Sequence, residues 1–570
     1  MSVEVIAAID VGNATTEVLI ARVSSGALDV VAAGRRPTRR TKGSADSLAG
    51  AAALVRRLER QHGLRVVEAL AVPLRPVLST RASVPLPGPD TGRLRIVGVG
   101  AHTAGAAGFG AGVPALLDAD GRVGGRGLGG GGPHVVVVPA RIGYAEAVSL
   151  LRDPVERGEV AAILLEADEA VLVANRLPAG PEGPVPVLDE VAPDDVLASD
   201  RAAVEVAPAG HPLRILTDPL RLADALSLDG SSADRAALVS SQLYDAAHGV
   251  VLVGDDTVSG VAPAGWASFA GKGRAPLAEA HGQIREGVVG AAESYALPPD
   301  EVAAEVDDLW TVDLSEVGGR VRARFGSAGT KSLGIAALTA ADSLVDPSEV
   351  LSLALEVPVR TVGTVGTEAE AARRGALSTP RAPEDAVVVD LGGGTIDVVT
   401  SDAAVVAAGA GDLLTVCVGE LTGTSGAAAE WIKRGPSRRA EAPQVVLGED
   451  GKRAFLDAPL PSEVLGSLVV QGPAGWLAFG AGLAPSEWRA LRLDLKTDLV
   501  GGNIARALRT LDHDLSGTVL LVGGPAADEE VLASVAAALP TGVAVARGNV
   551  GGEFGHRYAV AHGLLLSAPG

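Results

Sequence analysis

Apolar and β-branched residues come in short runs at the start of the chain, and turn residues separate the runs. These runs predict three strands, over 3–9, 17–23 and 28–33, which would form an antiparallel meander. A helix is predicted next, over 47–61, because apolar residues recur there at helical spacing and Gly63 follows as a stop signal. The chain therefore opens as a mixed α/β unit.

A second module follows a Pro- and Gly-rich stretch at 84–92, which we interpret as a domain boundary. Beyond this stretch, the run at 134–140 opens another α/β region, and apolar runs predict strands over 160–168 and 170–177. The region up to about residue 255 is typical of one β-rich module.

The opening meander pattern returns in the C-terminal half of the chain. Helical spacing predicts a helix over 275–295, and β-rich runs resume at residue 386. Residues 430–490 are Pro-rich and irregular, which suggests an inserted subdomain, whereas 518–539 predict a strand, a Gly turn and a helix. Sheet-forming sequence therefore lies on both sides of an intervening module.

Composition limits the possible ligands. With 570 residues and 47% hydrophobic positions, the chain can bury several cores, and its length suggests about three to five domains. The formal net charge of −21 repels phosphate backbones. One short basic cluster is too local to reverse that charge, so we expect no nucleic-acid ligand; the cluster comprises Arg35, Arg36, Arg39, Arg40 and Lys42.

Cysteine usage and hydropathy indicate the compartment. The single cysteine, Cys417, excludes an internal disulfide framework and a thiolate metal cluster, which is typical of a reducing cytosol. The N-terminus carries no basic signal region, and no apolar run reaches the roughly 18 residues of a membrane span. We therefore expect a cytoplasmic protein.

Two stretches share one pattern: "IDVGNATTEV" at 9–18 and "DLGGGTIDVV" at 390–399. In each, a strand ends near an aspartate and a turn of small residues follows. Backbone N–H groups of such a turn can approach phosphate oxygens, and the aspartate can hold hydrated Mg²⁺. Either stretch alone fits an ordinary hairpin. Two copies with the aspartate in the same place favour a clamp around the phosphates of a nucleotide.

Two further segments fit such a clamp. Residues 365–377 combine Glu368 and Glu370 with small residues that would let a helix pack closely, although a plain amphipathic helix explains them equally well. Gly523 and Gly524 stand between a strand and a helix, where backbone can lie flat against an adenosine. The stretch 326–332 is no P-loop, because a threonine intervenes before its lysine, and no zinc or serine hydrolase motif is present.

The order of these segments resembles a known family. "AIDVGNATTEV", "VGTEAEAARRGAL", "VVDLGGGTIDV", "VLLVGG" and "GNVGGEFGHRYAVAHGLLLS" resemble the large (alpha) subunit of diol or glycerol dehydratase-reactivating factors, in the actin/heat-shock-70-like ATPase superfamily. "GAHTAGAAGFGAG", "ILLEADEAVLVANRL" and "VPVLDEV" resemble that family's swivelling domain. The expected fold is α/β: a duplicated actin-like ATPase core with an inserted swivelling β-rich domain and a small insert domain.

The resemblance implies a division of the chain and a set of site residues. Asp10 and Asp390 would hold hydrated Mg²⁺, and Glu368 would orient the attacking water. The expected ATPase domain has three segments, at 1–88, 256–420 and 491–570. The expected swivelling domain covers 89–255, and the expected insert domain covers 421–490. The expected nucleotide contacts are Val11, Gly12, Asn13, Gly392, Gly393, Gly394, Thr395, Glu430, Trp431, Ile432, Lys433, Gly524, Pro525 and Arg557.

A divalent ion in the swivelling domain is also implied, held by Thr103, Asp168 and Asp189 and shared with a small subunit. A plainer interpretation is three polar residues at strand ends and turns. The chain departs from the family pattern at Ala104 and Ala170 beside this ion and at Pro525 in the nucleotide site.

The expected function is that of a chaperone-like ATPase. With a small subunit, in an α2β2 heterotetramer, it would use ATP and Mg²⁺ to release damaged cobalamin from an inactivated adenosylcobalamin-dependent diol or glycerol dehydratase. The alternatives are a metabolite kinase or other small-substrate ATPase of the same fold, and a scaffold that binds nucleotide without hydrolysis. The sequence leaves open which dehydratase is the client and whether the complex lies in a microcompartment.

Overall fold

The computed structural model describes most of the chain. The described residues are 4–24, 27–85, 91–100, 105–118, 123–124, 133–208, 211–243, 246–254, 265–298, 302–317, 332–341, 343–362, 367–480, 483–512 and 517–568. No helix in these ranges is both long and apolar enough to cross a membrane.

The first segment forms a meander, a helix and two more strands, and the first four elements lie where the sequence predicts them. The helix begins after Ser44, whose hydroxyl accepts a hydrogen bond from the Ser47 N–H at 3.3 Å. It ends at Gly63, which adopts a φ of 63°. The elements are β1 Glu4–Val11, β2 Thr15–Ser24, β3 Ala27–Pro37, α1 Ala45–His62, β4 Glu68–Ala71 and β5 Val77–Pro85.

The second segment builds one eight-stranded mixed sheet with the path order β11-β10-β9-β7-β12-β13-β6, and β8 pairs with β7. The predicted strand over 170–177 is wrong, because its apolar residues form a short helix that buries Ala170 and Val173. The elements are β6 Leu94–Gly100, β7 Gly108–Leu117, β8 Val123–Gly124, β9 His134–Val138, α2 Tyr144–Glu156, β10 Val160–Leu165, α3 Ala170–Ala174, β11 Val187–Leu188, α4 Pro193–Leu197, β12 Arg201–Val206, α5 Pro219–Leu226, α6 Gly230–Ser241 and β13 His248–Val253.

The third segment contributes a four-stranded sheet, β15-β14-β16-β17, and two strands that join β5 in the order β18-β19-β5. The helix predicted over 275–295 is shorter than expected, because residues 292–296 form a strand. The elements are β14 Trp266–Phe269, β15 Gly273–Pro276, α7 Leu277–Glu286, β16 Ala292–Ala296, β17 Ala304–Glu305, β18 Asp308–Asp313, β19 Ser332–Ala340, α8 Ser348–Leu355, β20 Val359–Thr361 and α9 Thr367–Leu377.

The C-terminal part contains a second meander, a small antiparallel sheet and a final α/β unit. The expectation of an irregular region over 430–490 is wrong, because five strands there form a sheet of order β26-β25-β24-β27-β28. The elements are β21 Val387–Leu391, β22 Thr395–Val399, β23 Ala404–Ala408, α10 Gly411–Thr422, α11 Gly426–Ile432, β24 Arg438–Ala442, β25 Val445–Gly448, β26 Arg453–Phe455, β27 Leu468–Gly472, β28 Gly475–Phe479, α12 Pro485–Lys496, α13 Gly502–Thr510, β29 Thr518–Gly523, α14 Glu529–Ala538, β30 Ala544–Arg547 and α15 Ala559–Leu565.

Two sheets of the structure have the same plan. Their orders are β20-β4-β1-β2-β3 and β30-β29-β21-β22-β23. In each, an antiparallel three-stranded meander is extended by two parallel strands. The predicted duplication of the core is therefore confirmed, whereas the predicted residue boundaries of the domains stay a prediction.

Two helices cross between these sheets, α9 and α15. They pack at glycines: a Cβ added to Gly375 would lie 1.8 Å from the Ala559 carbonyl oxygen, and one added to Gly563 would lie 1.9 Å from the Ala371 carbonyl oxygen. Such distances leave no room for any side chain on either glycine. The crossing brings the two sheets close together around the space described next.

Candidate functional site

Each meander places two carboxylates opposite each other at the end of its first hairpin. In the pairing of β1 with β2, Asp10 faces Glu17, and in the pairing of β21 with β22, Asp390 faces Asp397. Directly opposed residues of antiparallel strands have Cβ atoms only about 5 Å apart. The duplication therefore produces two matched pairs of acids.

The turns of the two hairpins close in the same way and touch each other. Gly12 N–H donates to the Thr15 carbonyl at 3.0 Å, and Gly392 N–H donates to the Thr395 carbonyl at 2.9 Å. A Cβ added to Gly393 would lie 3.2 Å from the Ala14 Cβ in the other turn. Both turns line one cleft of about 1110 Å³, which is large enough for a nucleotide.

A buried lysine reaches into this cleft from the loop after β3. Lys42 Nζ donates to both carboxylate oxygens of Glu368, at 2.7 and 2.6 Å. The lysine side chain is 5% exposed and the Glu368 side chain is 37% exposed, so a buried cation meets a carboxylate that still reaches the open cleft. Glu368 lies in the first turn of helix α9, and its carboxylate lines the cleft.

Negative charge exceeds positive charge at the base of the cleft. Burial, followed by the carboxylates of Asp397 and Glu17, raises the pKa of Asp390 to about 8. Burial and the neighbouring Glu368 raise the pKa of Asp397 to about 6. For Asp10, burial and then Glu368 and Glu17 raise the pKa well above its usual range. Asp10 Oδ1 is buried without a hydrogen-bond partner.

This donor set fits a hydrated divalent cation. The surrounding carboxylates are hard oxygen ligands of the kind that Mg²⁺ binds, and one of them offers an unused buried oxygen. Burial lowers the pKa of Lys42, but its contact with Glu368 outweighs burial and the pKa is raised overall. One lysine cannot balance five acids, so a cation bound here would relieve their mutual repulsion.

The opposite wall of the cleft comes from α10, α11 and the end of β29. Lys433 Nζ donates to the Gly411 carbonyl at 2.7 Å and to Thr415 Oγ1 at 2.8 Å, and it pairs with Glu430 at 2.6 Å. Across from them, a Cβ added to Gly411 would lie 3.2 Å from Pro525 Cγ. This wall combines polar side chains with a close approach of Gly411 to Pro525.

Two more residues complete the cleft. Gly523 has a φ of 88°, and a Cβ there would lie 2.4 Å from Asp390 Oδ1, so only glycine fits beside that acid. Arg557 Nη1 donates to Glu17 Oε1 at 3.2 Å, while its guanidinium lies against Gly524. The arginine therefore links the first hairpin to the last α/β unit.

Most of the expected nucleotide and catalytic residues line this one cleft. They are Asp10, Gly12, Asn13, Glu368, Asp390, Gly392, Gly393, Thr395, Glu430, Lys433, Gly524, Pro525 and Arg557. Four others do not line it: Val11, Gly394, Trp431 and Ile432. Val11 and Ile432 are buried in hydrophobic cores. Their assignment as ligand contacts stays a prediction.

Three charged residues of the cleft were not predicted as site residues from the sequence: Glu17, Lys42 and Asp397. A signal for the acids was present, because an acid follows the aspartate by seven residues in both repeated stretches. A weaker signal for Lys42 was the rarity of lysine: the chain has six lysines among 48 basic residues. Three of the six, Lys42, Lys433 and Lys496, are buried.

The expected metal set of the second segment is only partly visible. Thr103 lies outside the described residues. Asp168 follows β10, and Asp189 Oδ2 accepts the Ala170 N–H at 2.9 Å, which caps the start of α3. The described residues offer only these two acids of the expected set here, and nowhere among them would a group of three or more His, Cys, Asp or Glu side chains ligate a bare metal ion directly. Metal binding by this set stays a prediction.

Two family models match this chain, one in its C-terminal half and one in its second segment. The model of the diol dehydratase reactivase ATPase-like domain matches residues 291–568, and the model of the DD-reactivating factor swiveling domain matches residues 94–256. Together they span most of the chain in the expected order. The chain belongs to the diol dehydratase reactivase family. In this reactivase, the cleft residues from Glu368 onward lie within the ATPase-like match.

Similar proteins match this reactivase over its full length. The propanediol dehydratase-reactivating factor large subunits of Citrobacter freundii and Salmonella typhimurium are each 28% identical, over 99% of this chain and 98% of theirs. A solved structure of diol dehydratase-reactivating factor in nucleotide-free form has a TM-score of 0.72 at 26% identity. A glycerol dehydratase reactivase has a TM-score of 0.72 at 27% identity. Each structure covers 99% of both chains.

Proposed function

We propose that this chain is the large subunit of an ATP-dependent factor that reactivates an adenosylcobalamin-dependent diol or glycerol dehydratase. The observation that carries the proposal is the acid-lined cleft at the junction of two duplicated sheets, in a chain similar to reactivase large subunits from end to end. The client would have lost its adenosyl group and kept a damaged cobalamin, which the factor releases. The factor would work in the cytoplasm.

Hydrolysis of ATP would take place between the two hairpins. Asp10 and Asp390 would hold hydrated Mg²⁺, which when bound supplies positive charge to the phosphates. The turn at Gly12 and Asn13 and the turn at 392–395 offer backbone N–H groups to phosphate oxygens. Lys42 holds both oxygens of Glu368 in place, so that this carboxylate can orient the attacking water.

Closure of the cleft around ATP would be coupled to the binding of the partner proteins. The cleft is lined from both sheets, and the helices that join them touch at Gly375 and Gly563. A nucleotide that binds the closed form more tightly shifts the population toward it by that difference in affinity. We propose that this shift moves the swivelling module and exchanges a small subunit for the dehydratase.

The small subunit would meet the swivelling module near α3. Asp168 and Asp189, together with Thr103, would share a divalent ion there with an oxygen ligand of the small subunit, since the described residues supply too few acids alone. Two large and two small subunits would form the complex.

Release of cobalamin tests the proposed function. The purified complex, mixed with the neighbouring-gene dehydratase carrying cyanocobalamin, is expected to release cobalamin only when ATP and Mg²⁺ are both present, as followed by its visible absorbance after filtration. Added adenosylcobalamin should then restore dehydratase activity. A complex that releases no cobalamin with ATP, but phosphorylates a small metabolite, would instead establish the kinase alternative.

Binding of Mg²⁺-ADP is expected to tighten as the pH rises from 6 to 8. Mg²⁺ held by Asp10 and Asp390 needs both as carboxylates, but the pKa of Asp390 is raised to about 8 and that of Asp10 is raised well above its usual range, so metal binding must expel protons. One proton released corresponds to about tenfold in affinity per pH unit. Calorimetry in buffers of different ionisation enthalpy measures both the affinity and the protons released. An affinity independent of pH would contradict metal binding by these acids.

A further inference from the structure

The basic cluster in the sequence divides into two sides in the structure. Lys42 points into the cleft, whereas Arg36 and Arg39 lie against α1 on the outside of the first sheet. Arg36 Nη1 donates to the Gly50 carbonyl of α1 at 3.2 Å, and Arg39 Cδ lies 3.5 Å from the Cβ position of Gly50. Arg57 is exposed two turns further along that helix. We call Arg36, Arg39 and Arg57 the arginine cluster.

The arginine cluster has no counter-charge of its own. In the described part of the chain, none of its three guanidinium groups forms an ion pair, whereas neighbouring Arg40 pairs with Asp46 at 2.7 Å. Burial, followed by the nearby charges of Arg39 and Arg57, lowers the pKa of Arg36, as expected for three like charges held close together. The chain has 69 acids that could have paired with them. Unpaired arginines in so acidic a protein indicate an external anion.

The shape of the surface indicates which anion. The cluster lines neither the cleft nor the small cavity between α1 and α8. Arg39 and Arg57 are exposed on adjoining elements, a loop and a helix, and together they present an open basic surface. Arginine groups on open surfaces bind acidic segments of proteins through charge-assisted hydrogen bonds.

The loop that carries Arg39 is also joined to the cleft. Thr38 N–H donates to the Ala14 carbonyl at 3.0 Å, and Thr38 Oγ1 donates to the Gly12 carbonyl at 2.8 Å, so the loop holds the first hairpin turn. Four residues later, Lys42 holds Glu368. Arg39 therefore lies on a short loop between a contact to the hairpin turn, made by Thr38, and a contact to the Glu368 carboxylate, made by Lys42.

We propose that the arginine cluster is a docking surface for an acidic segment of a partner protein, and that docking there is coupled to the cleft through Thr38 and Lys42. The docking surface goes beyond the proposed function, and only its coupling to the cleft rests on nucleotide binding. Because coupling between two sites is reciprocal, a nucleotide in the cleft must change the affinity of the cluster by the same factor that docking changes nucleotide affinity.

Binding of a labelled peptide tests the docking surface on the full-length protein. A fluorescent peptide of eight glutamates is expected to bind at low salt, and an eight-serine peptide is not. Arg39→Ala and Arg57→Ala should each weaken binding about fivefold or more. Arg40→Ala is the matched control, because it removes the same charge from the same loop but from a paired arginine; it should change binding less than twofold.

Three outcomes overturn the docking surface: no binding of the glutamate peptide, equal loss in all three variants, or tighter Arg39-dependent binding of a single-stranded oligonucleotide, which would reassign the cluster to nucleic acid. Peptide affinity measured with and without ADP at constant MgCl₂ tests the coupling to the cleft. We expect ADP to change the affinity of the wild-type protein threefold or more and to change that of Thr38→Val less. Equal affinities with and without ADP would refute the coupling. Neither measurement involves cobalamin, so failure here is distinct from failure of the reactivase function.

Discussion

Asp390→Asn is expected to abolish Mg²⁺-dependent ATP hydrolysis, with a loss of about a hundredfold or more, and to raise the thermal midpoint of the metal-free protein. The loss of activity follows because an amide is a poor ligand for Mg²⁺ and does not neutralise its charge. The gain in stability follows because the acid lies beside three other carboxylates and must be protonated to be tolerated. Asp10→Asn should behave in the same way.

The gain in stability has a definite pH dependence. The pKa of Asp390 is raised from its ordinary value of 3.8 to about 8 in the folded protein, so the folded state binds the proton more tightly than the unfolded state. The protonated Asp390 carboxyl therefore contributes to wild-type stability at low pH, and this contribution is lost as the pH rises from about 4 through 8. The amide of the Asp390→Asn variant does not titrate, so its stability has no such dependence. The free energy of unfolding of the variant should therefore exceed that of the wild type by an amount that grows over this range and reaches roughly a few kcal/mol at pH 8.

Asp402→Asn provides the matched control. Asp402 lies in the same meander as Asp390, in the exposed turn between β22 and β23, where it accepts a hydrogen bond from Ser401. The same chemical change there should leave both hydrolysis and the metal-free midpoint near the wild-type values. Wild-type hydrolysis by Asp390→Asn would remove this residue from the catalytic assignment.

Gly375→Ala is expected to destabilise the fold by about 3 kcal/mol or more, or to prevent its accumulation. The added Cβ would lie 1.8 Å from the Ala559 carbonyl oxygen, so helices α9 and α15 would have to separate. These helices carry apolar residues into the cores on both sides of the crossing, and their separation would open those cores. Chemical denaturation monitored by circular dichroism measures the change.

Gly282→Ala separates this steric effect from the general effect of alanine in a helix. Gly282 lies exposed inside α7, and nothing lies within 4 Å of its Cβ position. Alanine there should stabilise the protein by about 0.5–1 kcal/mol, because it restricts the unfolded chain. A Gly375→Ala variant as stable as the wild type would show that the two helices do not need their close contact.

Local sequence patterns were sufficient to predict secondary structure where a segment has one regular apolar face and a clear turn signal. The first meander and α1 were predictable because strand and helix periodicity and the Gly63 stop are encoded within a few residues. The short apolar run at 170–177 was misread as a strand, since a run of that length is compatible with either state. The sheet over 438–479 was missed because its strands are short and mix buried, half-buried and exposed positions, so no clear alternation marks them.

The sequence by itself determined that two hairpins carry an aspartate before a turn of small residues and that the core is duplicated. Those features depend on backbone propensity and on spacing within each hairpin. Only the tertiary structure decided that Lys42 holds Glu368, that Arg557 reaches Glu17, and that Arg36, Arg39 and Arg57 form no ion pair within the described part of the chain. The first pair is 326 residues apart in the chain. Contacts at that separation exist only after both sheets have packed on the crossing helices, and no local pattern encodes them.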